Sequence, residues 1–184
     1  ALMAKAAKAP AVMWGPSIVG FGHRRLRYPD GREIDWMAVG VSPRNEDNQA
    51  VHRAAVASAI AWGVERGADP ERISLLGFSQ PCSFDYRLAL SPPHGHAFRA
   101  VVALCGGLPG EWIGPGEGTG ASKATHALHV STDADEFYSL DRVAPFGPLL
   151  VSRFASARHE VHVGGHRIPS SAIPVVREFL AENG

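Results

Sequence analysis

The chain has 184 residues, 45% of them hydrophobic and 20% charged, which suits one packed domain over residues 1–184 and excludes a disordered or collagen-like chain. Eighteen basic residues balance eighteen acidic ones, so the basic surface that binding a nucleic-acid backbone requires is not expected. No apolar run approaches the ~20 residues of a membrane-crossing helix. The two cysteines, Cys82 and Cys105, lack metal-binding spacing and are expected as buried, reduced thiols.

In chain order, the opening stretch from Ala1 to Ala11 holds only Lys5 and Lys8 as charges and does not read as a secretory signal, so a cytoplasmic location is expected. His23-Arg24-Arg25-Leu26-Arg27 is the longest basic cluster; beside the turn signal Tyr28-Pro29-Asp30-Gly31 it reads as an exposed strand end or solvated loop, ahead of an anion patch. From Asn48 to Arg66, Val51, Ala55, Ala59 and Trp62 recur at three- and four-residue steps, which predicts a helix stopped by Gly67 and Asp69-Pro70. Ile73-Ser74-Leu75-Leu76, apolar and bounded by Pro70 and Gly77, predicts a buried parallel strand. Pro81 to Leu90 reads as a helix ended by Ser91-Pro92-Pro93, and Ala100 to Cys105 as the next buried strand, ended by Gly106-Gly107. A glycine-rich loop from Pro109 to Gly120 follows, then a strand at Ala127–Val130, a helix within Leu140 to Ala157, a strand at Glu160–Val163 and a last helix from Ser171 to Ala181. This alternation predicts right-handed crossovers, a mostly parallel sheet and helices on both its faces. Chemistry in such sheets gathers at the carboxyl ends of the strands.

Three strand ends carry candidate groups. Leu76-Gly77-Phe78-Ser79-Gln80-Pro81 matches Gly-x-Ser-x-Gly except at its last position and lies between a predicted strand and a predicted helix. Glycine before the serine lets the turn close without a Cβ clash, so the hydroxyl stands above the sheet and the Gln80 N–H becomes a candidate oxyanion donor. Pro81 suits a first helical turn, where its missing N–H has no intrahelical partner. Ser131-Thr132-Asp133-Ala134-Asp135-Glu136-Phe137 places carboxylates just past a strand, and Gly164-Gly165-His166-Arg167-Ile168-Pro169 places an imidazole past another. Each group alone has an ordinary structural explanation: a serine at a turn, an acidic helix cap, a solvated histidine. Together they follow the order serine, acid, histidine, with all three on one edge of one sheet, which is the order of α/β-hydrolase triads.

Asp69 to Leu90 and Val101 to Gly110 resemble the phospholipase/carboxylesterase family of small α/β-hydrolases, relatives of the acyl-protein thioesterases. The most specific pieces are Leu76-Gly77-Phe78-Ser79-Gln80, Ala103-Leu104-Cys105-Gly106-Gly107-Leu108-Pro109-Gly110 and Gly164-Gly165-His166-Arg167-Ile168-Pro169, and the motif-bearing part runs from about residue 36 to 181. The resemblance implies a three-layer α/β sandwich and puts the acid on Asp135, the second of two acidic residues one apart, with Asp133 as the alternative. Family members begin with a strand ending in a His-Gly loop that supplies a second oxyanion donor. Upstream of Trp36 this chain has His23 after Gly22, with Arg24 next, so the expectation is either a fold lacking that strand and loop or an oxyanion hole built differently.

The implied chemistry is hydrolysis of carboxylic esters or thioesters by a carboxylesterase or lysophospholipase-like serine hydrolase, with Ser79 as nucleophile, His166 as base and Asp135 orienting the imidazole. Leu108, Trp112, Phe137 and Ile168 are candidates for the substrate-binding surface. The expected partner is a small-molecule ester or thioester, without nucleic acid or a membrane span, and a homodimer is compatible with this reading. No cofactor is implied, and no metal either, because none of the nine histidines forms His-Glu-x-x-His and His94-Gly95-His96 falls in a loop. The rival readings are a catalytically weak or inactive hydrolase-like binding protein and a flavodoxin-like binding domain; the strand ends lack the glycine pattern that cradles a phosphate in the latter.

Overall fold

The computed structural model describes residues 11–14, 18–21, 24–27, 33–36, 39–41, 46–113 and 120–183. The chain divides into two compact units, Ala1–Gln49 and Ala50–Gly184. In the first, β1 (Ala11–Trp14), β2 (Ile18–Phe21), β3 (Arg24–Arg27), β4 (Glu33–Trp36) and β5 (Val39–Val41) are short strands. They make an antiparallel sheet of order β1-β2-β5 and a separate antiparallel pair, β3 with β4. The basic run ending at Arg27 is therefore part of a paired strand, while Gly22-His23 and the Tyr28–Gly31 turn lie outside the described residues.

α1 (Glu46–Val64) ends where the Gly67 N–H donates to the Val64 carbonyl and the Ala68 N–H to the Gly63 carbonyl, the paired closure that satisfies the last carbonyls of a helix. Then follow β6 (Ser74–Phe78), α2 (Pro81–Leu90), β7 (Ala100–Leu104), β8 (Ser122–Thr132), α3 (Leu140–Val143), α4 (Phe146–Val151), β9 (Phe154–His162) and α5 (Ala172–Asn183). The four strands β6-β7-β8-β9 pair in that order, all parallel. Pro81 occupies the start of α2, and the Ser91 N–H closes its end on the Arg87 and Leu88 carbonyls.

β7 is buried along its whole length, as an interior parallel strand must be, and its side chains alternate between two cores. Val101 and Ala103 join Ile60 of α1, Cys82, Tyr86 and Leu88 of α2, and Phe146 and Leu150 of α4 on one face. Ala100, Val102 and Leu104 join Leu128 and Val130 of β8 and Ala172 and Phe179 of α5 on the other. The sheet is thus covered by helices on both sides. Its register aligns Phe78, Leu104 and Val130, so the chain leaves β6, β7 and β8 along one edge, and Thr132 pairs with His162 just beyond it.

The stretch from Leu140 to Ala157 departs from the single helix expected of it. It breaks into α3 and α4 around Pro145, and β9 already begins at Phe154, so its first four residues lie inside the expected helix range. Proline cannot donate to a continuing helix, and parallel pairing with β8 rewards an extended chain from Phe154 onward. Pairing with β9 likewise extends β8 back to Ser122, far ahead of its apolar core at Ala127–Val130. Residues 114–119 of the glycine-rich loop lie outside the described residues; the part before them forms a single 3₁₀ turn, Gly110–Trp112.

Candidate active site

Ser79 sits between β6 and α2 with φ at 63°, one of two described non-glycine residues at positive φ. For a residue with a Cβ that conformation is costly, and it persists only where the surroundings enforce it. Here the Ser79 N–H donates to the Leu104 carbonyl at 2.8 Å while its own carbonyl accepts from the Cys82 N–H at 3.2 Å, bending the chain from strand to helix in two residues. A Cβ on Gly77 would lie 2.5 Å from Asp85 Oδ2 and 3.1 Å from the Cys82 nitrogen, so the bend needs glycine there. Gln80 caps α2 with helical backbone angles.

Asp135 lies in the turn that follows β8. Its Oδ1 accepts the N–H groups of Phe137 and Tyr138 at 2.8 and 3.0 Å, folding the turn around the carboxylate. Its Oδ2 lies 2.8 Å from His166 Nδ1, and the side chain is 1% exposed. Burial alone would raise this carboxyl's pKa, but the hydrogen bonds from His166, Phe137 and Tyr138 outweigh it and hold the group below its usual value. The ionised carboxylate can only accept, so the His166 proton belongs on Nδ1 and the lone pair on Nε2. Nε2 lies 2.9 Å from Ser79 Oγ.

The rings of Phe78, Phe137 and Tyr138 surround the imidazole, with centroids 5.1, 4.8 and 5.9 Å away. His166 itself follows two glycines after β9, and its backbone N–H donates to Glu136 Oε2 at 3.2 Å. Asp133, the alternative acid, turns away from the imidazole: its Oδ1 accepts the Gly164 N–H at 2.9 Å. Both cysteines are free and buried; Cys105 donates from Sγ to the Arg167 carbonyl at 3.1 Å, and burial pushes both thiols' pKa up. Among the described residues no three His, Cys, Asp or Glu side chains gather as metal ligands would.

The structure therefore brings together Ser79, Asp135 and His166, with Gln80 adjoining Ser79 in the chain. Phe137 and Ile168 stand exposed, at 60% and 48%, Phe137 against His166 and Ile168 two residues beyond it. Leu108 and Trp112 instead lie in the core, where Trp112 packs on Tyr86, Phe154 and the Arg153 guanidinium.

No family model matches the chain, and no curated protein sequence does. Solved structures do. A carboxylesterase from Bacillus cereus superposes with a TM-score of 0.61 at 12% identity, over 76% of this chain and 64% of that one. SOBER1 of Arabidopsis thaliana follows the fold with a TM-score of 0.59 at 18% identity, over 77% and 67% of the two chains. A phospholipase/carboxylesterase from Dyadobacter fermentans does so with a TM-score of 0.57 at 23% identity, over 74% and 65%. The fold is that of the α/β-hydrolases. These neighbours are of the kind that the motifs at Ser79 and His166 resemble, and the chain spans about two thirds of the length of each.

Within this α/β-hydrolase fold, Ser79, Asp135 and His166 all lie past the carboxyl ends of parallel strands. Sequence reasoning passed over Phe78, Tyr138, Glu136 and Cys105. Phe78 is inside the serine motif, so its neighbourhood to the histidine could be guessed. The other three touch the histidine or its loop through tertiary contacts that no spacing encodes.

Proposed function

We propose that this chain is a serine hydrolase that cleaves carboxylic esters by acyl transfer. One observation carries the reading: the unbroken hydrogen-bond chain from Ser79 Oγ to His166 Nε2 at 2.9 Å and from His166 Nδ1 to Asp135 Oδ2 at 2.8 Å, on a serine held at positive φ. Ser79 Oγ attacks the ester carbonyl as His166 Nε2 takes its proton, and the imidazolium is stabilised by the Asp135 carboxylate. The imidazolium returns that proton to the departing alcohol. Water then attacks the acyl-serine with the same base, releasing the acid and restoring Ser79. The Gln80 N–H, next along the chain at the start of α2, is the proposed oxyanion donor.

Phe137 and Ile168 form the proposed apolar contact for the acyl group, which suits an ester or thioester of a small molecule. Labelling with a fluorophosphonate, together with hydrolysis of p-nitrophenyl acetate, tests the proposal. Wild-type protein should do both and Ser79→Ala neither. A wild-type chain that does neither, or a Ser79→Ala variant that keeps both, overturns it.

A further inference from the structure

We infer that Asp133 is a positioning residue for His166, acting through the Gly164 N–H; the inference rests on the reading of Ser79, Asp135 and His166 as the reacting groups. Between the end of β9 at His162 and His166 the chain runs through Val163, Gly164 and Gly165. Gly164 adopts φ of 150°, in the region that favours glycine. Two consecutive glycines leave the following residue many accessible orientations, and an imidazole that must reach Ser79 and Asp135 at once tolerates few of them. Something must hold the backbone there.

The acid loop does so. The Asp133 N–H donates to the His162 carbonyl at 2.9 Å, extending the β8–β9 ladder by one bond, and the Ala134 N–H donates to the Gly164 carbonyl at 2.9 Å. Thr132 Oγ1 donates to the Gly165 carbonyl at 2.9 Å, and Asp133 Oδ1 accepts the Gly164 N–H at 2.9 Å. Asp133 therefore grips the turn from both sides, by its backbone at His162 and its side chain at Gly164. The loop that presents Asp135 is the same loop that pins the backbone bearing His166, so the distance between the two groups is set within one locally bonded unit. Among the side chains in this clamp, Thr132 is fully buried and Glu136 makes the longest bond, 3.2 Å to the His166 N–H. Asp133 is exposed, so its side chain can be removed without opening the core.

The test compares Asp133→Ala, which removes the acceptor, with Asp133→Asn, which keeps an oxygen at the same place. The readouts are kcat and KM for p-nitrophenyl acetate, Tm, and the downfield proton resonance of the His166 Nδ1–H, identified by its absence in His166→Ala. The expected result for Asp133→Ala is a kcat lower by about tenfold to a hundredfold, KM within about twofold, and a resonance broadened by exchange, because small misplacements of a catalytic group cost that much. Its Tm should move by no more than about 2–4 °C, the shift expected of one exposed hydrogen bond in a chain of this size. Asp133→Asn should match the wild type in all four. A kcat and resonance unchanged in Asp133→Ala, a change confined to KM, or an Asp133→Asn as impaired as Asp133→Ala each overturns the clamp. A wild type that neither hydrolyses the ester nor labels at Ser79 overturns the proposed function instead, and the resonance then decides the clamp by itself.

Discussion

Two histidines in this molecule sit in hydrogen-bonded niches of different chemistry. His166 has a carboxylate 2.8 Å from one nitrogen, a hydroxyl 2.9 Å from the other, and a side chain 14% exposed. His129, on β8, is fully buried, with Nδ1 2.9 Å from the Tyr86 hydroxyl, its ring stacked on Tyr86 and the edge of Phe146 against it. Burial, with His159 beside it, pushes the His129 pKa down to about 3, so this ring stays neutral in the fold. The niches differ in a carboxylate and in burial. An imidazole facing an anion can accept a proton in passing; one facing a phenol in an apolar core can only pack and share a hydrogen bond.

The largest effect is expected at Ser79. Ser79→Ala is expected to lower kcat by roughly 10⁶ with little change in Tm, since only the nucleophile is lost; activity near wild type would remove His166 from its assigned task. Asp135→Asn should lower kcat by about 10³–10⁴, because an amide no longer holds the proton on Nδ1, while Asp133→Asn stays near the wild type. The reverse ranking in steady-state kinetics would give the acid's role to Asp133.

Acid sharpens the contrast. A histidine whose folded pKa lies near 3 and whose unfolded value is about 6.5 contributes stability that is complete above about 6.5 and is lost as pH falls through that window, at up to about 1.4 kcal/mol per pH unit. His129→Asn keeps an acceptor for Tyr86 but does not titrate, so its urea midpoint should fall less steeply between pH 6.5 and 4; equal slopes would show that His129 does not set the acid response. Asp135, held below its ordinary value of about 3.9, contributes stability that is present above that value and lost only as pH falls below it. Asp135→Asn should therefore change the pH dependence only below about 4. The smallest effect is expected of Phe137→Ala. Loss of its edge-on contact with the His166 ring, 4.8 Å between centroids, should cost about twofold to tenfold in kcat/KM for p-nitrophenyl esters, the scale of one aromatic pair.

Local pattern was enough for α2, which spans the expected Pro81–Leu90, and for β7, which lacks only Cys105 of its expected run. In both, the periodicity and its breakers lie within the segment itself. It was also enough to put Ser79, an acid and His166 at three strand ends, because each rests on a short motif beside a glycine or proline. It failed for the short strands before residue 42 other than β3, where a strand end was among the readings, and for β9, whose first residues are extended because β8 lies alongside. It failed again at Leu108 and Trp112, where an apolar side chain beside a reactive loop could face either solvent or core. Asp133 and Asp135 are chemically alike and two residues apart, so in the sequence only the family resemblance ranks them, Asp135 first. In the fold, the turn after β8 and the β8–β9 register separate them: they direct Asp135 inward to His166 and Asp133 to the Gly164 N–H. Sequence determines which groups are available at the sheet edge; the packing of two loops from different strands decides which of them meet, since a hydrogen bond reaches only about 3 Å and no spacing along the chain measures that distance.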